Sequence, residues 1–151
     1  MNISDFLSQA DVKLDVRADD KIRLLRQLST HAAAELGLNA DEVSTEIVKR
    51  EELGSTGVGN GVGLPHARLR GLKWPFGLFA RLRHAIDFKA IDDQPVDLVF
   101  LLLLPDASDG AQLNALACVA RVLRDPETLQ RIRGAGDRDA LFRAITNSGA
   151  R

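Results

Sequence analysis

The sequence predicts an α/β fold, with a mixed central β-sheet of four or five strands flanked by helices, and three observations lead there. Hydrophobic spacing switches back and forth along the chain between the two-residue period of strands and the 3.6-residue period of helices. The stretch Val96 to Leu104 is long and apolar enough for a central strand buried on both faces. Capping residues and glycines fall at the boundaries that these periods imply.

Val12, Leu14 and Val16 alternate with Lys13, Asp15 and Arg17, the pattern of a half-buried strand. Asp19 or Asp20 can cap a helix whose apolar stripe runs Ile22, Leu25, Leu28, Ala32 and Leu36 and stops at Gly37. Asn39 can cap a second helix, carrying Val43 and Ile47 and ending before Gly54. Phe76, Leu78, Ala80 and Leu82 alternate as a strand, and the Val96 to Leu104 strand ends at Pro105. Ser108 or Asp109 can cap a helix with Leu113, Leu116, Ala120 and Leu123 on one face. Asp125-Pro126 starts a short helix with proline in its tolerated first position, Gly134 to Gly136 break it, and Asp137 opens a last helix with Leu141 and Ile145.

A chain of 151 residues, 45% hydrophobic and 27% charged, is expected to form one domain over residues 1–151. Its net charge of -1 gives no global bias toward nucleic acid or anionic membrane. The single cysteine, Cys118, excludes an internal disulfide, fits a reducing compartment and reads as part of a helix core. The longest unbroken apolar run, Leu98 to Leu104, is far too short to span a bilayer, and Met1 to Ala10 carries neither a basic nor an apolar signal region. A cytoplasmic location without membrane insertion is therefore expected.

The middle of the chain breaks the periodic pattern. Gly54 to Gly63 contains five glycines, a backbone-entropy cost that calls for a reason. Such a loop can cradle an anion with its amides, or simply join a helix to the sheet. Two nucleotide motifs fail here. No G-x-G-x-x-G can be completed from Gly57, Gly59 or Gly61, and Asn60-Gly61 stand where a P-loop requires Lys and Ser/Thr.

His66 follows Pro65 at the end of this segment, where one ring nitrogen can be held by a backbone carbonyl and the other presented. That suits a nucleophile toward phosphorus, a proton shuttle or a metal ligand, and equally a hydrogen-bonded structural residue. The metal reading finds no partners by spacing, because His31 lies on a helix and His84 at a basic strand end. From Leu53 to Ile86 there is no Asp or Glu, while Arg68, Arg70, Lys73, Arg81 and Arg83 are present, an expected cationic surround for a phosphoryl group. Arg50 can clamp such a group or serve only as a helix C-terminal cation. Trp74 belongs either to a partner-facing rim or to surface packing.

The stretch Arg50-Glu51-Glu52-Leu53-Gly54-Ser55-Thr56-Gly57-Val58-Gly59, followed by Gly61-Val62-Gly63-Leu64-Pro65-His66-Ala67, closely resembles the active-site signature of type-2 EIIA domains of the bacterial phosphotransferase system, the fructose/mannitol class. Within that class it is most similar to the stand-alone nitrogen-regulatory EIIA proteins. The likeness covers nearly the whole chain, including Gln94-Pro95-Val96-Asp97-Leu98-Val99-Phe100. The resemblance implies a phosphohistidine at Nε2 of His66, received from a phosphorylated HPr-like carrier, with Arg50 contacting the phosphoryl group. Gly54, Ser55, Thr56 and Gly57 would form the phosphate loop. One departure stands out: where family members commonly carry a second histidine before a leucine, this chain has Gln112-Leu113. Gln112 can donate an amide hydrogen bond to a phosphoryl oxygen but brings no positive charge.

The expected role is thus a phosphate-relay regulator whose targets lie in potassium or nitrogen control, with no cofactor and no metal. The absence of an attached transporter domain in 151 residues favours regulation over sugar uptake. Two other roles fit the residues: passing phosphate to a separate sugar permease chain, and binding partners without phosphorylation, which Gln112 keeps open.

Overall fold

A computed structural model of the chain describes residues 1–106 and 110–147, with the side chains of residues 110–113 outside the description. Two short 3-10 helices, Ile3–Asp5 and Gln9–Asp11, lead into β1 (Val12–Val16), α1 (Lys21–Leu36) and α2 (Ala40–Leu53). The glycine-rich segment then forms β2 (Gly57–Gly59), β3 (Val62–Gly63) and β4 (His66–Leu69). The long strands β5 (Phe76–Ile86) and β6 (Val96–Pro105) follow, and α3 (Gly110–Leu123), α4 (Pro126–Gly134) and α5 (Arg138–Asn147) complete the chain.

The predicted mixed sheet is present, but it has six strands, in the order β1-β5-β6-β3-β2 with β4 also on β6. Only β5–β6 and β2–β3 pair antiparallel. The difference in number has a local cause. β3 and β4 run along the same edge of β6, at Val62↔Leu98 and His66↔Leu102, and are two parts of one edge interrupted at Leu64-Pro65. Proline has no N–H for the ladder, yet its carbonyl still accepts from Leu102 N at 2.9 Å, so β4 resumes pairing at His66.

β6 explains the long apolar run. Leu98, Phe100, Leu102 and Leu104 face one side of the sheet, into a core closed by Cys118, Val122, Leu129, Ile132, Leu141 and Ile145 of α3, α4 and α5. Val99, Leu101 and Leu103 face the other side, against Leu24, Leu25, Leu28, Val43 and Ile47 of α1 and α2. Phe100 meets Phe6 and Phe79 edge-on, at centroid separations of 6.4 and 6.1 Å. Cys118 lies in this core as expected, and burial pushes its thiol pKa up.

The helix boundaries follow local chemistry. Asp20, not Asp19, caps α1 by accepting from Arg23 N at 2.8 Å, while Asp19 pairs with the Arg23 guanidinium. Gly37 closes α1 in the left-handed region at φ 68°, and Asn39 caps α2 through Glu42 N at 3.0 Å. Asp137 caps α5 through Ala140 N at 2.7 Å. One stripe residue departs: Ile22 is exposed, and the buried α1 positions include Leu24 instead. The predicted caps Ser108 and Asp109, and the Leu113 side chain, lie outside the described residues.

Candidate functional site

The last turn of α2 delivers two neighbouring side chains in different directions. Arg50 stays partly exposed, and its Nη1 donates to Gly54 O at 2.9 Å across the helix end. Glu51 turns inward and is buried. A lone buried carboxylate is costly, and three groups satisfy this one. Lys21 Nζ of α1 lies 2.6 Å from its Oε2, Thr56 N donates at 3.2 Å, and the Thr56 hydroxyl donates to its Oε1. The same ammonium donates to Phe88 O at 2.9 Å and sits 4.3 Å from the centre of the Phe88 ring.

These contacts continue to the histidine. Thr56 O accepts from Leu64 N at 2.9 Å, and Leu64 O lies 2.9 Å from His66 Nδ1. With Nδ1 donating to that carbonyl, the ring proton is on Nδ1 and the lone pair is on Nε2, the assignment the hydrogen bond requires. Burial is the largest influence on the ring's pKa and holds it below the ordinary 6.5. The Leu64 bond pulls upward, the Arg50 charge adds to the lowering, and Glu51 opposes it. The imidazole is therefore unprotonated at neutral pH, with Nε2 available as a nucleophile.

His66 and Arg50 line one open groove of about 680 Å³. Its walls are α2 (Glu46, Lys49, Arg50, Glu52, Leu53), β4 (His66, Ala67, Arg68), the end of β6 with Asp106, and Leu116 of α3. Gln112 is in the first turn of α3, and its side chain lies outside the described residues.

Several expectations change here. The cationic surround is dispersed: of the five basic residues between Leu53 and Ile86, only Arg68 lines this groove. Arg70 lies in a neighbouring hollow and Arg83 in a third, beside Arg17 and His84. Arg81 donates to the carbonyls of Ile132 and Ala135 at 2.9 and 2.7 Å, closing the C-terminal end of α4. Among the described residues the groove carries Lys49, Arg50 and Arg68 against Glu46, Glu52 and Asp106, an even balance. Trp74 packs on the surface, with Nε1 donating to Asp5 O at 2.9 Å.

The loop residues brace rather than reach outward. The Thr56 hydroxyl proton goes to Glu51 and the Ser55 hydroxyl proton to Phe88 O at 3.0 Å, so neither is left to donate to a ligand. Ser55 Oγ also accepts from Gly57 N at 3.0 Å. Gly57 is glycine for want of space, since an added Cβ would stand 2.6 Å from Ala90 Cβ and 2.8 Å from Ala90 Cα. At Gly54 the same atom would meet nothing within 4 Å. Sequence reasoning gave no role to Glu51 or Lys21. A glutamate beside the arginine of the motif was visible, but its burial and its partner on α1 were not.

A model of the family described as the phosphoenolpyruvate-dependent sugar phosphotransferase system, EIIA 2, matches residues 5–148. A nitrogen regulatory protein of Bradyrhizobium diazoefficiens is 40% identical over 145 residues, covering 96% of this chain and 95% of its own length. One from Escherichia coli K12 is 36% identical over 149 residues, covering 98% and 91%. Among solved structures, the crystal structure of the nitrogen regulatory protein IIA-Ntr from Neisseria meningitidis superposes with a TM-score of 0.90 at 30% identity, covering 95% of this chain and 99% of that one.

Proposed function

The chain belongs to the EIIA type-2 family of the phosphoenolpyruvate-dependent sugar phosphotransferase system, and from that premise we propose that it is a phosphohistidine-carrying regulator of the nitrogen-related branch. The observation that carries the reading is the pinned Nδ1 of His66, which leaves Nε2 with a lone pair in a groove that also holds Arg50. In the proposed step, that lone pair attacks the phosphorus of a phosphorylated HPr-like carrier. The carrier's P–N bond breaks, and its imidazole leaves with the bonding pair. Phosphoryl transfer asks for positioning and charge stabilisation more than for covalent help. The Leu64 carbonyl supplies the first, and Arg50 supplies the second once it swings from Gly54 O to the phosphoryl oxygens. Gln112 adds an amide donor in this scheme, in place of an imidazole.

The regulatory part follows from charge. A phosphoryl group adds about −1.5 to −2. Added to a groove whose described lining charges balance, that makes the surface more anionic. Partners that read this face, which we take to be targets in potassium or nitrogen control, would therefore discriminate between the two states. The exposed Leu53 at its rim, 86% accessible, gives such a partner an apolar contact. No helix among the described residues is long and apolar enough to cross a membrane, in keeping with action in the cytoplasm beside the carrier.

The test is incubation with phosphoenolpyruvate, the first relay enzyme and an HPr-like carrier. An acid-labile mass gain of one phosphoryl group, lost in His66→Ala, is expected. No gain with a carrier that phosphorylates another EIIA protein would overturn the reading in favour of a binding module.

A further inference from the structure

At α1, three ligand-type side chains converge, two from one helix face and a third that no sequence spacing connects to them. His31 and Glu35 stand four residues apart on α1, and Asp11 arrives from the 3-10 helix before β1. His31 Nε2 is 3.2 Å from Asp11 Oδ1 and 4.0 Å from Glu35 Oε1, and one ligand atom from each residue lies within 4.8 Å of the others. None of the three lines the His66 groove.

The local charge is unusual. Asp11 is buried, 5% accessible, and a buried carboxylate normally finds a lysine or arginine, as Glu51 does with Lys21. Among the described residues, the ion pairs of Asp11 and of Glu35 are with His31 alone. Two carboxylates thus meet on one imidazole, and among the described residues no lysine or arginine pairs with either. Ser8 Oγ donates to Asp11 Oδ2 at 2.8 Å, which orients the carboxylate and points Oδ1 at the histidine, the way a supporting hydrogen bond orients a metal-ligating carboxylate.

We propose that Asp11, His31 and Glu35 form a binding site for a divalent transition ion of the zinc class. Imidazole with two carboxylates suits a borderline ion, whereas calcium asks for about six to eight oxygens. Metal–ligand bonds of about 2.0–2.2 Å in tetrahedral geometry put ligand atoms roughly 3.3–3.6 Å apart. The His31–Asp11 separation is already near that, and the half-exposed Glu35 side chain closes the remainder by rotation. Ligation replaces the Nε2–H···Oδ1 hydrogen bond: Nε2 turns its lone pair to the ion, the ring proton resides on Nδ1, and water fills the fourth position. The ion would staple the Gln9–Asp11 turn to α1 and brace the start of β1.

The experiment is titration of chelator-treated protein with zinc sulfate, followed by calorimetry and by long-range 1H–15N spectra of the histidine rings. One ion per chain, a shift confined to His31 with His66 and His84 unmoved, and a raised thermal midpoint are expected. His31→Ala should abolish the saturable heat, and Glu35→Gln should weaken binding by tenfold or more, in the range that loss of metal-site partners brings. Because Glu35 is exposed, that variant keeps the fold even if His31→Ala does not, which far-UV circular dichroism checks. Absence of saturable binding, or binding unchanged in Glu35→Gln, overturns the proposal; a shift at His66 instead would also overturn it. None of these readouts depends on phosphorylation.

Discussion

Replacing Lys21 by methionine tests whether the buried network behind the loop is held by charge. The substitution keeps the length of the stem and removes the ammonium from Glu51, whose side chain is only 3% accessible against 14% for that of Lys21. Removing one partner of a buried pair costs about 3–5 kcal/mol, chiefly because the other charge is stranded. Thr56 still donates twice to the carboxylate and Lys21 is not fully enclosed, so the lower end, about 3 kcal/mol, is expected. The hydrogen bond to Phe88 O involves the same ammonium and is not added separately. Urea unfolding, with an m-value of about 2 kcal/mol per M, should show the midpoint falling by about 1.5 M. Adding Glu51→Gln should recover part of the loss, since glutamine leaves no stranded charge, with a coupling of about 1–3 kcal/mol. A Lys21→Met midpoint equal to that of the parent, or strictly additive effects in the double variant, would refute the reasoning.

The remaining predictions use the same unfolding assay. His66 has a lowered pKa in the folded state, so between that value and 6.5 the unfolded chain binds more protons, and stability falls as pH drops through this window. His66→Gln should flatten that part of the stability–pH curve; an unchanged slope contradicts it. Gly57→Ala forces a methyl against the Ala90 backbone and should cost about 1–3 kcal/mol. Gly54→Ala, with open space, should stay within about 0.5 kcal/mol of the parent. Ser29 is fully buried on α1 and its hydroxyl has no hydrogen-bond partner among the described residues, so Ser29→Ala should stabilise by about 1 kcal/mol, helped by alanine's helix propensity.

What could be read in advance depended on how local the controlling interaction is. β6 was legible because burial on both faces leaves an unbroken apolar run, and Asp20, Gly37, Asn39 and Asp137 because caps act within four residues. The strands β2, β3 and β4, two to four residues each, are shorter than any period they would have to display. Arg81 looked like part of a cationic surround because its carbonyl partners are more than fifty positions away in the chain. Ser55 and Thr56 belong to the motif, yet their hydroxyls serve Phe88 and Glu51; composition alone does not tell a bracing hydroxyl from a ligand-binding one. Asp11 and His31 were invisible as a pair for the same reason of distance along the chain.

The central claim is that the Leu64 carbonyl holds His66 Nδ1 and thereby assigns the chemistry to Nε2. The most direct test is phosphorylation of 15N-labelled protein by the carrier, followed by 31P and long-range 1H–15N spectra of the His66 ring. Phosphorus coupled to Nε2, with Nδ1 still protonated, is the predicted result. Phosphorus on Nδ1, or on a residue other than His66, would contradict it.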